Sequence, residues 1–167
     1  MKNTAEIQHK NLVALKEHIE KEELLSQFIP SIPPSNGRIS SSFGWRKDPF
    51  HGQKRMHNGI DFVDQYAAPV YATANGTVIS AKVNSGYGKQ IIINHGNGYK
   101  TSYSHLSSYE VAEGDIVTKG EIIGRMGSTG RSTGVHLHYE VHLDGKVMNP
   151  TQYIKGENFL VRKENTK

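Results

Sequence analysis

Residues 135–143, Val135-His136-Leu137-His138-Tyr139-Glu140-Val141-His142-Leu143, alternate apolar and ionisable side chains with a period of two. That is the period of a β-strand, whose successive side chains point to opposite faces. Val135, Leu137, Tyr139, Val141 and Leu143 suit a packed face, while His136, His138, Glu140 and His142 share the other. Side chains two apart on one strand face lie roughly 6 to 7 Å apart. An open cleft above His136 and His138 therefore has room for a metal ion, a water molecule and a substrate, although a solvated polar face has the same pattern.

Two further groups offer related chemistry. In His57-Asn58-Gly59-Ile60-Asp61 the imidazole and the carboxylate share a face whether the backbone is extended or helical, and Gly59 with Phe62-Val63 favours the extended form. Neutral imidazole and carboxylate are zinc ligands, and one more His completes a three-ligand set that leaves a fourth position open to water. His105 ends a strand that leaves the turn Gly96-Asn97-Gly98, in Ser102-Tyr103-Ser104-His105-Leu106. A partly exposed structural imidazole is the alternative there. Tyr103, two residues before His105, is expected on its face, where its hydroxyl would meet substrate or an oxyanion. His9, His18, His51 and His95 are expected at the surface. His142 is roughly 13 Å along the strand from His138, too far to share its metal. Glu140 either orients a ligand from behind or is solvated.

The elements that must hold these groups follow from punctuation and composition. Residues 1–28 read as an amphipathic, coiled-coil-like helix, with Leu12, Leu15 and Ile19 at helical spacing and i,i+4 pairs Lys16/Glu20 and Glu17/Lys21. The stripe loses register at Glu22 and Glu23, and residues 5–28 are expected to pack on the chain's own domain or on a partner. Three prolines within Pro30-Ser31-Ile32-Pro33-Pro34 stop the helix and stiffen a linker over 29–37. Beyond it, turn signals separate candidate strands at 70–74, 77–83, 89–95, 99–105, 116–118, 121–126 and 135–143, which predicts a mostly β, antiparallel domain over 38–155 with a tail at 156–167.

The 167 residues suffice for one well-buried domain. The absence of cysteine excludes disulfides and a thiolate metal site, so any metal must use His and carboxylate. A net charge of +4 favours an anionic partner, but Lys and Arg are scattered without a basic run, which speaks against nucleic acid. No stretch approaches the roughly 20 apolar residues of a membrane span, and the charged opening residues do not form a secretory signal.

Several motifs occur together in one order: Phe43-Gly44-Trp45-Arg46, Asp48-Pro49-Phe50, Met56-His57-Asn58-Gly59-Ile60-Asp61-Phe62, Tyr103-Ser104-His105-Leu106, Gly127-Ser128-Thr129-Gly130-Arg131-Ser132-Thr133-Gly134 and His136-Leu137-His138-Tyr139-Glu140-Val141. This ordered set, from about Arg38 to Ile154, resembles the lysostaphin-type (LytM-like) zinc endopeptidases of bacterial peptidoglycan. The resemblance implies a lysostaphin-like, duplicated-hybrid-motif fold. It also implies zinc held by His57, Asp61 and His138, and catalysis by His105 and His136. Spacing alone leaves the two histidines of the HxH pair interchangeable as ligands. The implied reaction is hydrolysis of peptide bonds in the wall, with stem-peptide cross-links favoured over glycine bridges by the Gly-Trp-Arg and Asp-Pro segments. Arg46 is a further candidate for substrate contact. The loop from Trp45 to Met56 and the Gly-rich loop 127–134 are expected to wall the groove.

A non-catalytic wall-binding regulator that activates other hydrolases is the alternative, disfavoured because every matching His and Asp is present. A biotinyl- or lipoyl-type carrier fails for want of its Met-Lys site. Since peptidoglycan lies outside the cytoplasmic membrane, the expectation is an extracytoplasmic protein whose export signal or anchor precedes this chain.

Overall fold

A computed structural model of the chain describes residues 2–48 and 51–154. Pro49 and Phe50, and the tail expected over 156–167, lie outside the described residues. Helix α1 covers Lys2–Ser26. It ends where the amides of Gln27, Phe28 and Ile29 turn back onto the carbonyls of Leu24, Leu25 and Ser26, just before Pro30, which has no N–H to continue the helix. Among the described residues the apolar stripe of this helix finds no cover on its own domain: Leu12, Leu15 and Ile19 remain 66 %, 55 % and 48 % exposed. Their stripe is interrupted at Glu22 and Glu23 before it can cover a face. The exposed Lys16–Glu20 pair at 3.8 Å contributes about 0.3–0.5 kcal/mol and does not replace such packing.

The proline-rich segment after the helix is held more firmly than a free linker. The Ser31 amide donates to the Thr73 carbonyl, the Tyr71 amide donates to the Pro34 carbonyl, and Pro34 and Ser35 are buried. Among the described residues twelve strands follow: β1 Arg38–Ser41, β2 Gly44–Lys47, β3 Lys54–His57, β4 Ile60–Val63, β5 Pro69–Tyr71, β6 Gly76–Asn84, β7 Gly88–Gly96, β8 Tyr99–Tyr109, β9 Ile116–Val117, β10 Ile122–Met126, β11 Leu137–Leu143 and β12 Lys146–Met148. One antiparallel sheet runs in the order β1-β4-β11-β8-β7-β6-β9, with β10 joining β5 to β8 and β12 beside β11. Strands β2 and β3 form a separate two-stranded ribbon, where a loop was expected. The sheet is the mostly β, antiparallel architecture that the turn spacing predicts.

Alternation holds along β11. Leu137, Tyr139 and Val141 enter a core shared with Ile60, Phe62, Ile91, Ile93 and Leu106, all fully buried. Beneath the site the core is polar but satisfied. The Thr73 hydroxyl meets the Tyr103 and Tyr139 hydroxyls at 3.1 and 2.9 Å, and the Thr73 amide donates to the Tyr103 oxygen at 3.1 Å. Burial of hydroxyls is tolerable when each has a partner. His95 is a correction to the surface expectation. It is only 2 % exposed, with Nδ1 against the Asn75 carbonyl and Nε2 against the Thr101 hydroxyl, both at 2.7 Å.

Pairing is irregular at several points, and the irregularity in β8 matters for the site. Pairing with β7 passes from Ile91↔Tyr103 to Lys89↔Leu106, so three steps of β8 oppose two of β7. The extra residue is a β-bulge, and His105 takes up the irregularity with φ at 64°. Tyr103 and Leu106 are therefore both fully buried in the core, while His105 reaches the opposite face and lines the cleft. Tyr103 is thus a core residue and not the substrate or oxyanion contact expected from its spacing.

Candidate metal centre and catalytic cleft

Three strands bring His57, Asp61 and His138 together. Asp61 on β4 pairs directly with His138 on β11, so their side chains leave the sheet as cross-strand neighbours. His57 ends β3, and the Asn58-Gly59 step returns the chain to β4. That step passes so close over β11 that a Cβ at Gly59 would lie 2.3 Å from the Tyr139 carbonyl oxygen and 2.9 Å from His138 Cε1. Only glycine fits there without displacing the third histidine.

The three ligand-type atoms form a compact triangle. His57 Nε2 is 3.1 Å from Asp61 Oδ1 and 3.1 Å from His138 Nδ1, and His138 Nδ1 is 2.9 Å from the same Asp61 oxygen. Partners on the far side of each ring decide where the protons sit. His57 Nδ1–H donates to the Ser42 carbonyl at 2.8 Å, and His138 Nε2–H donates to Glu140 Oε1 at 2.8 Å. In the neutral tautomers so selected, both inner nitrogens present lone pairs. With both rings in these neutral tautomers, two lone pairs and a carboxylate oxygen converge, an arrangement that a cation satisfies by displacing the proton His138 otherwise holds against Asp61. The spacing is within a few tenths of an ångström of the roughly 3.3 Å between neighbouring ligands of a tetrahedral zinc with bonds near 2.0–2.1 Å. The donor set therefore fits zinc.

Electrostatics agree with a cation site. Burial alone raises the Asp61 carboxyl pKa, but hydrogen bonds and charge from His138 and His57 override it and hold the group well below the usual carboxylate range. Burial lowers the His138 pKa, and Asp61 and Glu140 outweigh that effect, so without a metal the imidazolium is held up to about 9. Glu140, 5 % exposed, also accepts from His142 Nε2 at 2.8 Å and from the Tyr87 hydroxyl at 3.3 Å. Of the two readings open for Glu140, the orienting one is what its geometry supports. His142 bonds to that carboxylate and stands outside the triangle. Arg46 Nη2 lies 3.3 Å from the outer oxygen of Asp61.

His105 and His136 form a second imidazole pair, with ring centroids 4.6 Å apart. His105 Nδ1–H donates to the Thr129 carbonyl at 2.7 Å, and His136 Nδ1–H to the Gly134 carbonyl at 2.9 Å. Among the described residues no hydrogen-bond partner meets either Nε2. Burial lowers the His105 pKa to about 4, reinforced by the charges of His136 and His138 and opposed by the Thr129 carbonyl. At neutral pH the ring is therefore unprotonated and able to accept. The Gly-rich loop carrying both carbonyls is pinned against the turn before β7: a Cβ at Gly130, where φ is 74°, would lie 2.3 Å from the Gly88 amide nitrogen.

All five histidine and aspartate candidates line one cleft of about 450 Å³, together with Arg46. Ser40 and Ser41 of β1, the β2–β3 ribbon, the turn 85–87 and the Gly-rich loop complete its walls. Among the described residues none from α1 or from 29–37 lines it. Tyr87, Asp48, Arg55 and Arg131 also face the cleft and were not singled out as site residues from the sequence. Asp48 is the bridge between two walls, 3.4 Å from Arg55 Nη1 and 3.3 Å from Arg131 Nη2. The Asp-Pro motif marked its neighbourhood, and Tyr87 stands between two glycines in a turn.

Residues 55–150, more than half of the chain, match the model of Peptidase family M23. The chain belongs to family M23. Among its M23 relatives, the DD-carboxypeptidase/endopeptidase Mpg of Neisseria meningitidis is 48 % identical over 113 residues, 68 % of this chain and 26 % of that protein. The peptidoglycan DD-endopeptidase ShyA of Vibrio cholerae is 41 % identical over 116 residues, 69 % of this chain and 27 % of that protein. The chain thus spans about a quarter of the length of these curated relatives. Among solved structures, a zinc-containing peptidase from Vibrio cholerae superposes with a TM-score of 0.65 at 36 % identity, covering 78 % of this chain and 39 % of that one. The catalytic domain of lysostaphin from Staphylococcus simulans gives 0.66 at 33 %, covering 72 % and 94 %. The M23 likeness includes the fold expected from the motif order.

Proposed function

We propose that the chain is the peptidase domain of a zinc-dependent endopeptidase that hydrolyses peptide bonds in peptidoglycan, with stem-peptide cross-links as its preferred target. The observation that carries this reading is the convergence of His57 Nε2, Asp61 Oδ1 and His138 Nδ1, with the far nitrogen of each ring committed to a partner behind it. It opens onto a cleft shared with two imidazoles whose Nε2 atoms have no hydrogen-bond partner among the described residues. His57, Asp61 and His138 are the proposed metal ligands. Zinc there supplies Lewis-acid polarisation of the scissile carbonyl and a lowered pKa for the attacking water.

The remaining steps belong to the chain. His105, unprotonated at neutral pH, accepts the water's proton at Nε2, since no glutamate base of the HExxH type is present. His136, beside it, donates to the developing oxyanion or to the leaving amine. Arg46 steadies Asp61 through its outer oxygen. The proposed domain covers 38–155, and residues 5–28 are offered to a helical partner. Comparing the full chain with one beginning at Asn36 by sedimentation with candidate wall proteins tests that last point, and identical association would remove it.

Relatives named as peptidoglycan DD-endopeptidases support the substrate and, with it, an extracytoplasmic location. No helix among the described residues is long and apolar enough to cross a membrane. The decisive test is incubation of the zinc-loaded chain with purified sacculi. Cross-linked dimers should fall and monomers rise in a chelator-sensitive way, and an unchanged dimer fraction with zinc bound would refute the proposal.

A further inference from the structure

The two imidazole pairs of the cleft are connected through one residue. Tyr87 sits at the tip of the hairpin between β6 and β7, flanked by Gly86 and Gly88 with φ at 81° and 65°, a backbone that glycine adopts without strain. Its carbonyl accepts the His105 amide at 2.8 Å, and the Gly86 carbonyl beside it accepts the Arg131 amide at 2.8 Å. Thr129 closes the same unit: its hydroxyl accepts from the Lys89 amide at 2.9 Å and donates to the Leu106 carbonyl at 2.7 Å. The hairpin tip, the bulge that carries His105 and the Gly-rich loop are thereby fastened to one another.

From that fixed point the Tyr87 side chain reaches the other pair. Tyr87 lines the cleft, its ring centroid is 6.0 Å from that of His138, and its hydroxyl donates to Glu140 Oε1 at 3.3 Å. Two imidazoles also hold Glu140, with His138 Nε2 at 2.8 Å from Oε1 and His142 Nε2 at 2.8 Å from Oε2. Two donors at the same distance leave a carboxylate without a preference for the ring that faces the metal site. The phenol is a third donor, and it goes to the oxygen that His138 uses. It therefore biases the carboxylate towards His138, and a partner behind a ligating imidazole fixes both the orientation and the basicity of the ring.

Resting on the zinc-peptidase reading above, we propose that Tyr87 is a positioning residue, which sets the His138 ring for the metal through Glu140 while its backbone is fastened to His105. One residue thus ties the proposed proton acceptor to the proposed ligand triangle. Tyr87 acts through another side chain, so its contribution is read first in metal affinity.

Tyr87→Phe keeps the ring and the backbone contacts and removes only the hydroxyl. Zinc affinity, measured by competition with a chromogenic chelator, should fall about three- to tenfold, the worth of one net hydrogen bond. The same substitution in a chain that already carries Glu140→Ala should change affinity by less than about twofold, since the hydroxyl then has no carboxylate to act on. The loss should shrink likewise beside His142→Ala, where no second imidazole competes for Glu140. Unchanged affinity in Tyr87→Phe, or an equal loss in all three backgrounds, would overturn the positioning role and leave the peptidase intact. Zinc bound without hydrolysis of sacculi, with this pattern of affinities, would keep the positioning role and remove the peptidase. A parent chain that binds no zinc would overturn both.

Discussion

The cleft contains two imidazole pairs of nearly the same geometry and opposite chemistry. His57 and His138 lie with centroids 4.9 Å apart, His105 and His136 with centroids 4.6 Å apart. The difference lies in what stands beside and behind the rings. The first pair has the Asp61 carboxylate between its inner nitrogens and the Glu140 carboxylate at its back. That surplus of negative charge calls for a cation. The second pair is backed by the neutral carbonyls of Thr129 and Gly134, and burial drives the His105 pKa down to about 4. In the proposed reaction a ring so placed exchanges protons instead of holding a metal.

The contrast breaks most sharply at Asp61. Asp61→Ala should abolish stoichiometric zinc binding, read by elemental analysis of the dialysed protein, and with it all detectable wall hydrolysis. A variant that kept both would show that the triangle is not the metal centre. His105→Ala is expected to retain one zinc per chain while kcat falls about 10²- to 10⁴-fold. The same should hold for His136→Ala, and loss of zinc in that variant would reverse the assignment within the HxH pair.

Glu140→Gln probes the support behind the ring. It should weaken zinc binding by about 10- to 100-fold without removing a ligand, measured by competition with a chromogenic chelator. Unchanged affinity would return Glu140 to a bystander. The smallest expected effect is on stability. In the metal-free chain the His138 pKa is raised to about 9, so its contribution is fully present below the unfolded value near 6.5 and is lost as pH rises through about 9. Glu140 is lowered to about 2: burial opposes this shift and the bonds to His138 and His142 drive it, so its contribution is present above about pH 4.5 and lost as pH falls. Metal-free protein should therefore melt highest between about pH 5 and 6.5 and lose roughly 5 °C by pH 9, a loss that zinc suppresses. A flat melting profile would show that the carboxylates are not coupled to His138.

Much of this site is legible in the chain because strand alternation and residue chemistry act locally. The period-two pattern of 135–143 places Tyr139 in the core and His138 on the cleft side, as observed. His57 and Asp61 read as a ligand pair because Gly59 and its neighbours favour extended backbone. What failed to show depends on partners distant in sequence. Strands β1 to β4 are four residues each, too short to carry a period, and they exist through pairings such as Ser41↔Asp61 and Asp61↔His138. Tyr103 was placed on the wrong face because a bulge changes the count without leaving a glycine or proline to mark it. Asp48 and Arg131 are 83 residues apart, and nothing local announces that they meet.

The bulge at His105 also sets how easily hydrolysis could be switched off by heritable change. Losing the single codon for His105 would restore regular pairing in β8, remove the left-handed backbone at φ 64° and keep Tyr103 and the core seated. The proposed proton acceptor would vanish from the cleft, while the proposed ligand triangle, on β3, β4 and β11, would be untouched. If the proposed function holds, an inactive domain that keeps its metal site is thus one short deletion away from the peptidase.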